Sequence, residues 1–461
     1  MSKTVSRGGH ASGIDMLNGP LAGKLIAFSF PVIAGSVLQQ VFNAADTAVV
    51  GQFASRQALA AVGGNSSTIS LLLNLFVGIT SGAGVVSATL IGQGKEERVS
   101  EAVHTAMLFS ILSGIFLALA GQLIARPLLE LMASPEDVIG LAAVYLKIYF
   151  TGMPFLMFYN MGAAILRSVG DTKRPLYSLL FAGVLNVLLN LLFVIVFRLS
   201  VVGVALATVI SNGVNALLML SFLLREEGAL RLVPGKMSIS WPALAAILKI
   251  GVPTGLQGTV FSLSNVCIQT AINGFGSVVV AGSAVALNFE FMSFFGINGF
   301  VQACMNFTGQ NYGAGKMDRC RSIFRLSLLF GVLSGLIMNL GFYFARDVLL
   351  SLFTSDPEVM SVAVLRMQRV LLFQSIAATY EVAGGALRGL GHALPPTVLT
   401  VFGSCLFRIF WVFVVFRAVP KLEVLLSVYP VSWILTGVLV TAAYFLLRRE
   451  TEQGARPQQT A

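Results

Sequence analysis

The sequence predicts an all-α integral membrane protein whose twelve transmembrane helices form two six-helix bundles related by a parallel repeat. Hydrophobic residues make up 56% of the 461 residues and charged residues only 11%, whereas a soluble protein carries roughly 25% charged residues. The apolar runs are continuous, which indicates membrane helices rather than the alternating strands of a barrel. These observations exclude a soluble enzyme, a secreted disulfide scaffold and a disordered protein.

Twelve apolar segments are long enough to cross a bilayer, which requires about 20 residues. Several are longer than that, so we expect tilted helices or helix ends that extend into water. The approximate limits of the twelve spans are 24–50, 58–91, 101–125, 138–163, 175–197, 201–224, 242–272, 279–311, 322–345, 359–386, 396–416 and 424–447.

The two halves of the chain are a tandem repeat with an offset of 221 residues. Because each half has an even number of spans, both halves have the same orientation, and a central site between the halves is expected. The matching segments are LLELMASPEDV at 128–138 with LLSLFTSDPEV at 349–359, AILRSVGDTKRP at 164–175 with GALRGLGHALPP at 385–396, and GKEER at 94–98 with GKMDR at 315–319.

The net charge of +10 comes from Lys and Arg residues that lie singly in short loops, so nucleic acid is not an expected partner. If the N-terminus is inside, the inside segments hold 19 of these residues and the outside loops hold 6. This bias favours cytoplasmic termini. The predicted division is a cytoplasmic tail 1–23, an N-terminal bundle 24–224, a cytoplasmic linker 225–240, a C-terminal bundle 241–447 and a cytoplasmic tail 448–461.

Asp46 is the best candidate for an ion-coupling residue. A carboxylate inside a span is energetically costly, so its presence indicates a function. Gln39, Asn43 and Asp46 follow helical spacing and form a polar stripe on span 1. Among amides, Asp46 is expected to bind and release a proton near neutral pH. Alternatively, the amides join helices and Asp46 is a passive bridge. Further polar positions are Asn186 and Asn190 on span 5 and Thr208, Asn212 and Asn215 on span 6. Of the polar residues in this half, Gln39 and Asn212 are expected to line the substrate cleft.

Pro31 lies fifteen residues before Asp46 in the same span. A proline removes a helical hydrogen bond and permits a bend. Pro31 is therefore a candidate hinge, and a static kink is the alternative.

The second half contains two further carboxylates inside spans, Glu290 and Glu381. Either residue is a candidate for the substrate cleft, and Glu381 has Arg388 seven residues further on as a possible partner. Asn298, Gln302 and Asn306 form a polar stripe on span 8 that is expected to line the same cleft.

No catalytic or metal-binding motif accompanies these residues. The four cysteines are far apart, and the three histidines have no ligand spacing and are expected to be solvated. No Walker A, HExxH or complete GxSxG constellation is present. We therefore expect neither an enzyme nor a protein with a cofactor.

Several segments of the chain resemble the multidrug and toxic compound extrusion (MATE) family, and the resemblance covers about 22–448. It implies two six-helix bundles around a V-shaped cleft, and export of amphipathic, often cationic drugs driven by inward H⁺ or Na⁺. The segments are FPVIAGSVLQQVFNAADTAVVGQF, ALAAVG, GQGKEE, LRSVGDTKRP and LRGLGHALPP.

The resemblance to the prokaryotic DinF-like branch implies roles for individual residues. Asp46 and Pro31 match the coupling Asp and the proline of that branch, and Thr208 matches its span 6 threonine. Asn186 and Asn190 stand where the branch has an Asn-x-x-x-Asp pair, so the second acid is absent here. That departure favours H⁺ over Na⁺. The carboxylates of the NorM-like branch are also replaced, by Phe261 and Ala377, so its second-half cation site is absent unless Glu290 or Glu381 substitutes for it.

The sequence thus predicts a drug antiporter of the bacterial inner membrane, with small-molecule drugs or toxic metabolites and membrane lipid as partners and a monomeric state. The alternative is a flippase for a lipid-linked precursor, since related flippases line the cleft with basic residues. The basic residues inside spans, Lys147, Arg366, Arg369 and Arg408, are expected near span ends.

Overall fold

The computed structural model describes residues 13–131 and 136–454, and every regular element in those ranges is helical. Within these ranges, eleven helices are long and apolar enough to cross a membrane, and one bent pair makes a twelfth span. This confirms the predicted all-α membrane fold and its number of spans. Parts of both predicted tails, and positions 132–135 of the first repeat motif, lie outside the described residues.

The chain packs into two compact units. The first unit consists of Ala34–Leu248 together with the tail up to Asp15, and the second consists of Met16–Ile33 and the chain from Lys249 onward. The α-helices up to the linker are α1 (Leu21–Phe53), α2 (Arg56–Gly92), α3 (Glu96–Leu131), α4 (Glu136–Thr151), α5 (Met153–Ser168), α6 (Lys173–Leu191) and α7 (Ser200–Leu224).

The second half repeats this plan with more interruptions. Its helices are α8 (Trp241–Asn273), α9 (Ser277–Gly313), α10 (Met317–Phe344), α11 (Arg346–Ser351), α12 (Pro357–Arg369), α13 (Ala377–Gly389), α14 (Leu394–Thr400), α15 (Phe407–Phe410), α16 (Leu422–Leu426) and α17 (Val428–Gly454). Short 3₁₀ segments lie in the linker and at Leu371–Ile376, and π-helical segments lie at Leu192–Val196, Val401–Leu406 and Trp411–Phe416.

The units differ from the predicted bundles at helix α1, because its first turns pack on α9. The Ser29 hydroxyl donates to the Gly299 carbonyl over 3.2 Å, and the rings of Phe28 and Phe307 meet edge to face at 5.6 Å. The units also divide within α8, where Ile247 packs into the core of the first unit. Helix α1 is therefore an element of both units, and the division falls two residues after Pro31.

The fourth predicted span is the bent pair, in which α4 and α5 meet at 49°. Gly152 separates the two helices, and Pro154 occupies the first turn of α5. A proline in that position is accommodated because the first turn needs no internal N–H donor. The two halves of this span therefore have different directions.

The duplication is visible in the backbone. Gly94 and Gly315 have φ of 68° and 71°, and Gly170 and Gly391 have φ of 84° and 88°. Each pair is related by the predicted offset and ends a helix in the left-handed conformation that glycine adopts most readily.

The linker between the halves is fixed to α3 by side chains. The buried His104 ring donates through Nδ1 to the Ser100 carbonyl (2.6 Å) and accepts the Val233 N–H at Nε2 (3.0 Å). Thr105 accepts the Ser240 N–H at 3.0 Å. The expectation that His104 is solvated was therefore wrong, because its ring is buried between a carbonyl of its own helix and the backbone N–H of the distant Val233.

Candidate functional site

Helices α1 and α6 bring the predicted polar residues of the first unit together. Gly183 of α6 lets the two helices approach closely, because a β-carbon added there would lie 1.8 Å from the Phe42 ring. Asn186 and Asn190 follow one and two helical turns later on the same face of α6 and are buried, with exposed fractions of 7% and 0%. The spacing therefore places both amides on the face of α6 that packs against α1.

Asp46 is hydrogen bonded to Asn190, which in turn is bonded to Asn186. The Asn190 amide donates to the Asp46 carboxylate (Nδ2 to Oδ1, 2.5 Å) and to the Asn186 side-chain carbonyl (3.2 Å). Both N–H groups of Asn190 are thus used, and its carbonyl Oδ1 is buried with no hydrogen-bond partner in the described structure. The Asn190 N–H thus supplies one of the donors that an ionised Asp46 requires.

Two tyrosines of α4 belong to the same region, and the sequence analysis missed them. The rings of Tyr145 and Tyr149 stack with centroids 6.0 Å apart, and both hydroxyl groups interact electrostatically with Asp46. Their spacing of four residues in a span was the available signal. Aromatic side chains at that spacing usually indicate packing, so the pattern did not stand out.

Other residues predicted for this site are not joined to Asp46 in the structure. The Thr208 hydroxyl donates to the Val204 carbonyl of its own helix at 3.0 Å. Asn43 and Gln39 are exposed, and Asn212 is half-buried. A threonine inside a helix readily bonds to its own backbone, so the Thr208 hydroxyl donates within its own helix and not to Asp46.

The second unit gives Glu290 a different setting from the one predicted. Arg366 holds its carboxylate with two parallel bonds, Nε to Oε1 at 2.7 Å and Nη2 to Oε2 at 3.0 Å. Gln374 donates to the Glu290 backbone carbonyl at 2.8 Å. Because Glu290 already has a buried cationic partner, it is not a free acid for a cationic drug.

The expectation that Arg366 and Arg408 lie near span ends was also wrong. Arg366 lies inside the span Pro357–Gly389 and Arg408 inside the span Leu394–Phe416, and each is only 1% exposed. Their partners come from other helices, so no local sequence pattern announced them.

The remaining cleft candidates of the second unit are half-buried. They are Asn298 and Gln302 on α9 and Glu381 on α13. Arg388 interacts electrostatically with Glu381, as its position predicted, and donates a hydrogen bond to Gln257 at 2.9 Å. Of the two second-half acids, Glu381 is thus the one without a direct salt bridge in the described structure.

Comparison with known proteins identifies the family to which this chain belongs. The sequence profile of the MatE family matches residues 31–192 and, again, residues 253–414. The double match confirms the tandem repeat and covers most of the chain. The fold and the match define a polytopic membrane transporter, not an enzyme. The chain belongs to the MatE family, the multidrug and toxic compound extrusion transporters.

Individual relatives agree with that family. The chain is 28% identical to the probable multidrug resistance protein YoeA of Bacillus subtilis over 390 residues, which are 81% of this chain and 82% of that protein. It is 26% identical to a FAD transporter of Shewanella oneidensis over 354 residues, 75% and 77% of the two chains. A solved structure, an outward-facing multidrug resistance MATE family transporter of the MOP superfamily, superposes with a TM-score of 0.88 at 20% identity and covers 96% of this chain and 99% of that one.

Proposed function

We propose that this protein is a secondary active antiporter that exports amphipathic, often cationic compounds in exchange for H⁺, with Asp46 as the coupling carboxylate. The observation that carries the proposal is the hydrogen-bonded series Asp46–Asn190–Asn186 inside the spans of the first unit. A carboxylate at such depth is expensive to keep charged and is therefore a natural proton acceptor. With one carboxylate and two amides, the site favours H⁺ over Na⁺.

Asn190 gives the site a way to respond to protonation. When Asp46 is ionised, it needs donors, and the Asn190 amide N–H supplies one. When Asp46 takes up a proton, it becomes a donor and needs an acceptor. The partnerless Oδ1 of Asn190 is that acceptor after a half-turn of the amide. The two protonation states therefore favour different arrangements of α1 against α6.

Pro31 connects this change to the rest of helix α1. The proline removes one backbone hydrogen bond from a helix that is otherwise continuous over Leu21–Phe53. Its first turns pack with the second unit and its later turns with the first. A change in bend near Pro31 then repacks the Asp46 part of the helix and releases the exported compound.

Transport in proteoliposomes tests the proposal directly. We expect uptake of the lipophilic cation rhodamine 123 into inside-acidic vesicles, and no uptake when only a Na⁺ gradient is imposed. Transport driven by the Na⁺ gradient alone would contradict the choice of ion, and transport with neither gradient would contradict secondary active antiport.

Replacing Asn190 with Ala should slow pH-driven efflux by about tenfold or more, because Asp46 loses its hydrogen-bond donor and a charge-assisted bond is worth roughly 1.5–3 kcal/mol. Thr208→Ala is the matched control, since the Thr208 hydroxyl is bonded to its own helix. Initial rates of rhodamine 123 efflux measure both. Equal rates in the parent and Asn190→Ala would contradict a role for this amide in coupling.

The linker is proposed to be cytoplasmic, together with both termini. Ser238 is an exposed linker residue, so a Ser238→Cys variant in a background with the four native cysteines replaced by Ser should react with a membrane-impermeant maleimide only after cells are opened. Labelling of the Ser238→Cys variant in intact cells would contradict the proposed cytoplasmic location of the linker. An outside-loop variant, Lys421→Cys, should be labelled in intact cells and is the control.

The second candidate remains a flippase for a lipid-linked precursor. The observation in its favour is the pair of buried arginines, Arg366 and Arg408. One of them is already neutralised by Glu290, which leaves less positive charge than a pyrophosphate requires. We therefore retain drug export as the conclusion.

A further inference from the structure

A polar cluster that the proposed coupling mechanism does not use lies around Arg408 in the second unit. Its Nε donates to the Ser432 hydroxyl at 3.1 Å and its Nη1 to the Asn265 side-chain carbonyl at 3.0 Å. Both acceptors are neutral, and no ion pair to Arg408 occurs among the described residues. The guanidinium is 1% exposed, and its Nη2 is buried without a hydrogen-bond partner.

Aromatic rings enclose the guanidinium. Phe261 and Tyr429 lie 4.7 and 4.9 Å from its central carbon, within cation–π distance. The Tyr429 ring also lies 5.5 Å from the central carbon of Arg366. On Arg366, Glu290 binds Nε and Nη2, the Tyr429 side chain interacts with the guanidinium, and Nη1 is buried without a hydrogen bond of its own.

The charges of the cluster do not balance. Glu290 pairs with Arg366, and no carboxylate among the described residues pairs with Arg408, so one positive charge is left in a region sheltered from water. A buried cation is stable only when it is paired or fully hydrogen bonded, and neither condition is met at Arg408. The missing partner is an anion that can accept from Arg408 Nη2 and Arg366 Nη1.

The backbone and the rim of the cluster suit a binding site. Arg408 lies on the single α-helical turn between two π-helical segments, Val401–Leu406 and Trp411–Phe416. Single-turn π segments inside helices are frequent at functional sites. Phe261, Asn265 and Tyr429 are only half-buried, so the rim of the cluster is accessible.

We propose that Arg408, assisted by Arg366, forms a subsite for the carboxylate or phosphate group of an amphipathic transported compound, whose apolar body lies against Phe261 and Tyr429. This deepens the proposed function, on which it rests, by adding compounds with an acidic group to the expected substrates. Each guanidinium keeps one nitrogen for the ligand, so the two oxygens of one oxyanion accept charge-assisted bonds from Arg408 Nη2 and Arg366 Nη1.

A matched pair of fluorescent probes tests the subsite. Rhodamine 110 carries a free carboxylate, and rhodamine 123 is its methyl ester. Binding to the purified full-length protein in nonionic detergent is followed by fluorescence anisotropy. We expect the parent to bind the free acid at least about tenfold more tightly than the ester, which corresponds to about 1.4 kcal/mol.

Arg408→Gln should reduce the affinity for rhodamine 110 to that for the ester and leave the ester unchanged, because glutamine keeps hydrogen bonding to Ser432 and loses the charge. Arg417→Gln is the control, since Arg417 is an exposed arginine that directly follows the π segment Trp411–Phe416. Equal affinity of the parent for both probes, or a parallel loss of both in Arg408→Gln, would overturn the subsite. Efflux of rhodamine 123 from cells tests the proposed function separately, because the ester does not need the subsite.

A membrane lipid is the other source of an oxyanion with an apolar body. Phosphatidylglycerol added to the detergent should leave rhodamine 110 binding to the parent nearly unchanged if the subsite serves transported compounds. Displacement of rhodamine 110 from the parent by stoichiometric phosphatidylglycerol would assign Arg408 to a lipid headgroup and overturn the proposal.

Discussion

Asp46→Asn is expected to abolish pH-driven efflux of rhodamine 123 while the protein still folds and binds the compound. Asparagine has nearly the shape of aspartate, and it cannot exchange a proton. A shift of a two-state equilibrium from 1:99 to 99:1 requires about 5.5 kcal/mol of differential stabilisation. Protonation of Asp46 drives the change between the two arrangements of α1 and α6, so the variant is left in one of them.

The measurement compares initial efflux rates at matched expression. Asp318→Asn is the control, because it neutralises a carboxylate whose side chain is 94% exposed, and its efflux should equal that of the parent. Parent-like efflux by Asp46→Asn under a pH gradient would rule out Asp46 as the coupling residue.

Glu290→Gln should destabilise the protein by about 3–5 kcal/mol, because it leaves the Arg366 guanidinium charged and unpaired in the interior. The two side chains are 9% and 1% exposed, so solvent does not compensate for the loss. Thermal unfolding in detergent should show a clear fall in Tm, and the yield of monodisperse protein should fall with it.

The exposed pair Arg126 and Glu130 provides the contrast. Its side chains are 70% and 56% exposed, and Glu130→Gln should change stability by less than about 1 kcal/mol. The double variant Glu290→Gln, Arg366→Met should recover much of the stability, since no unpaired charge remains. A Tm of Glu290→Gln equal to that of the parent would show that the buried pair does not stabilise the second unit.

The sequence was sufficient for the fold because each of its signals is local or repeated. Apolar segments of bilayer length identify spans one at a time, and the offset between Gly94 and Gly315 relates the halves without any structure. The bend between α4 and α5 and the sharing of α1 between the units were not predicted, because both depend on packing between helices.

The candidate site was predictable where polar residues follow helical spacing. Asn186 and Asn190 share a face with the spacing of one turn, and in the structure Asn190 bonds both to Asp46 and to Asn186. Partners across helices had no such signal. Arg366 is 76 residues from Glu290, and the neutral partners of Arg408 come from α8 and α17.

The role of Asp46 in coupling is tested most directly by measuring the release of protons when the exported compound binds. The purified protein in weakly buffered detergent solution is mixed with rhodamine 123, and a pH electrode records the release of protons. We predict that the parent releases protons as the cation binds, that Asp318→Asn behaves as the parent, and that Asp46→Asn binds the compound without release. Proton release by Asp46→Asn equal to that of the parent would contradict the central claim that cation and proton compete through Asp46.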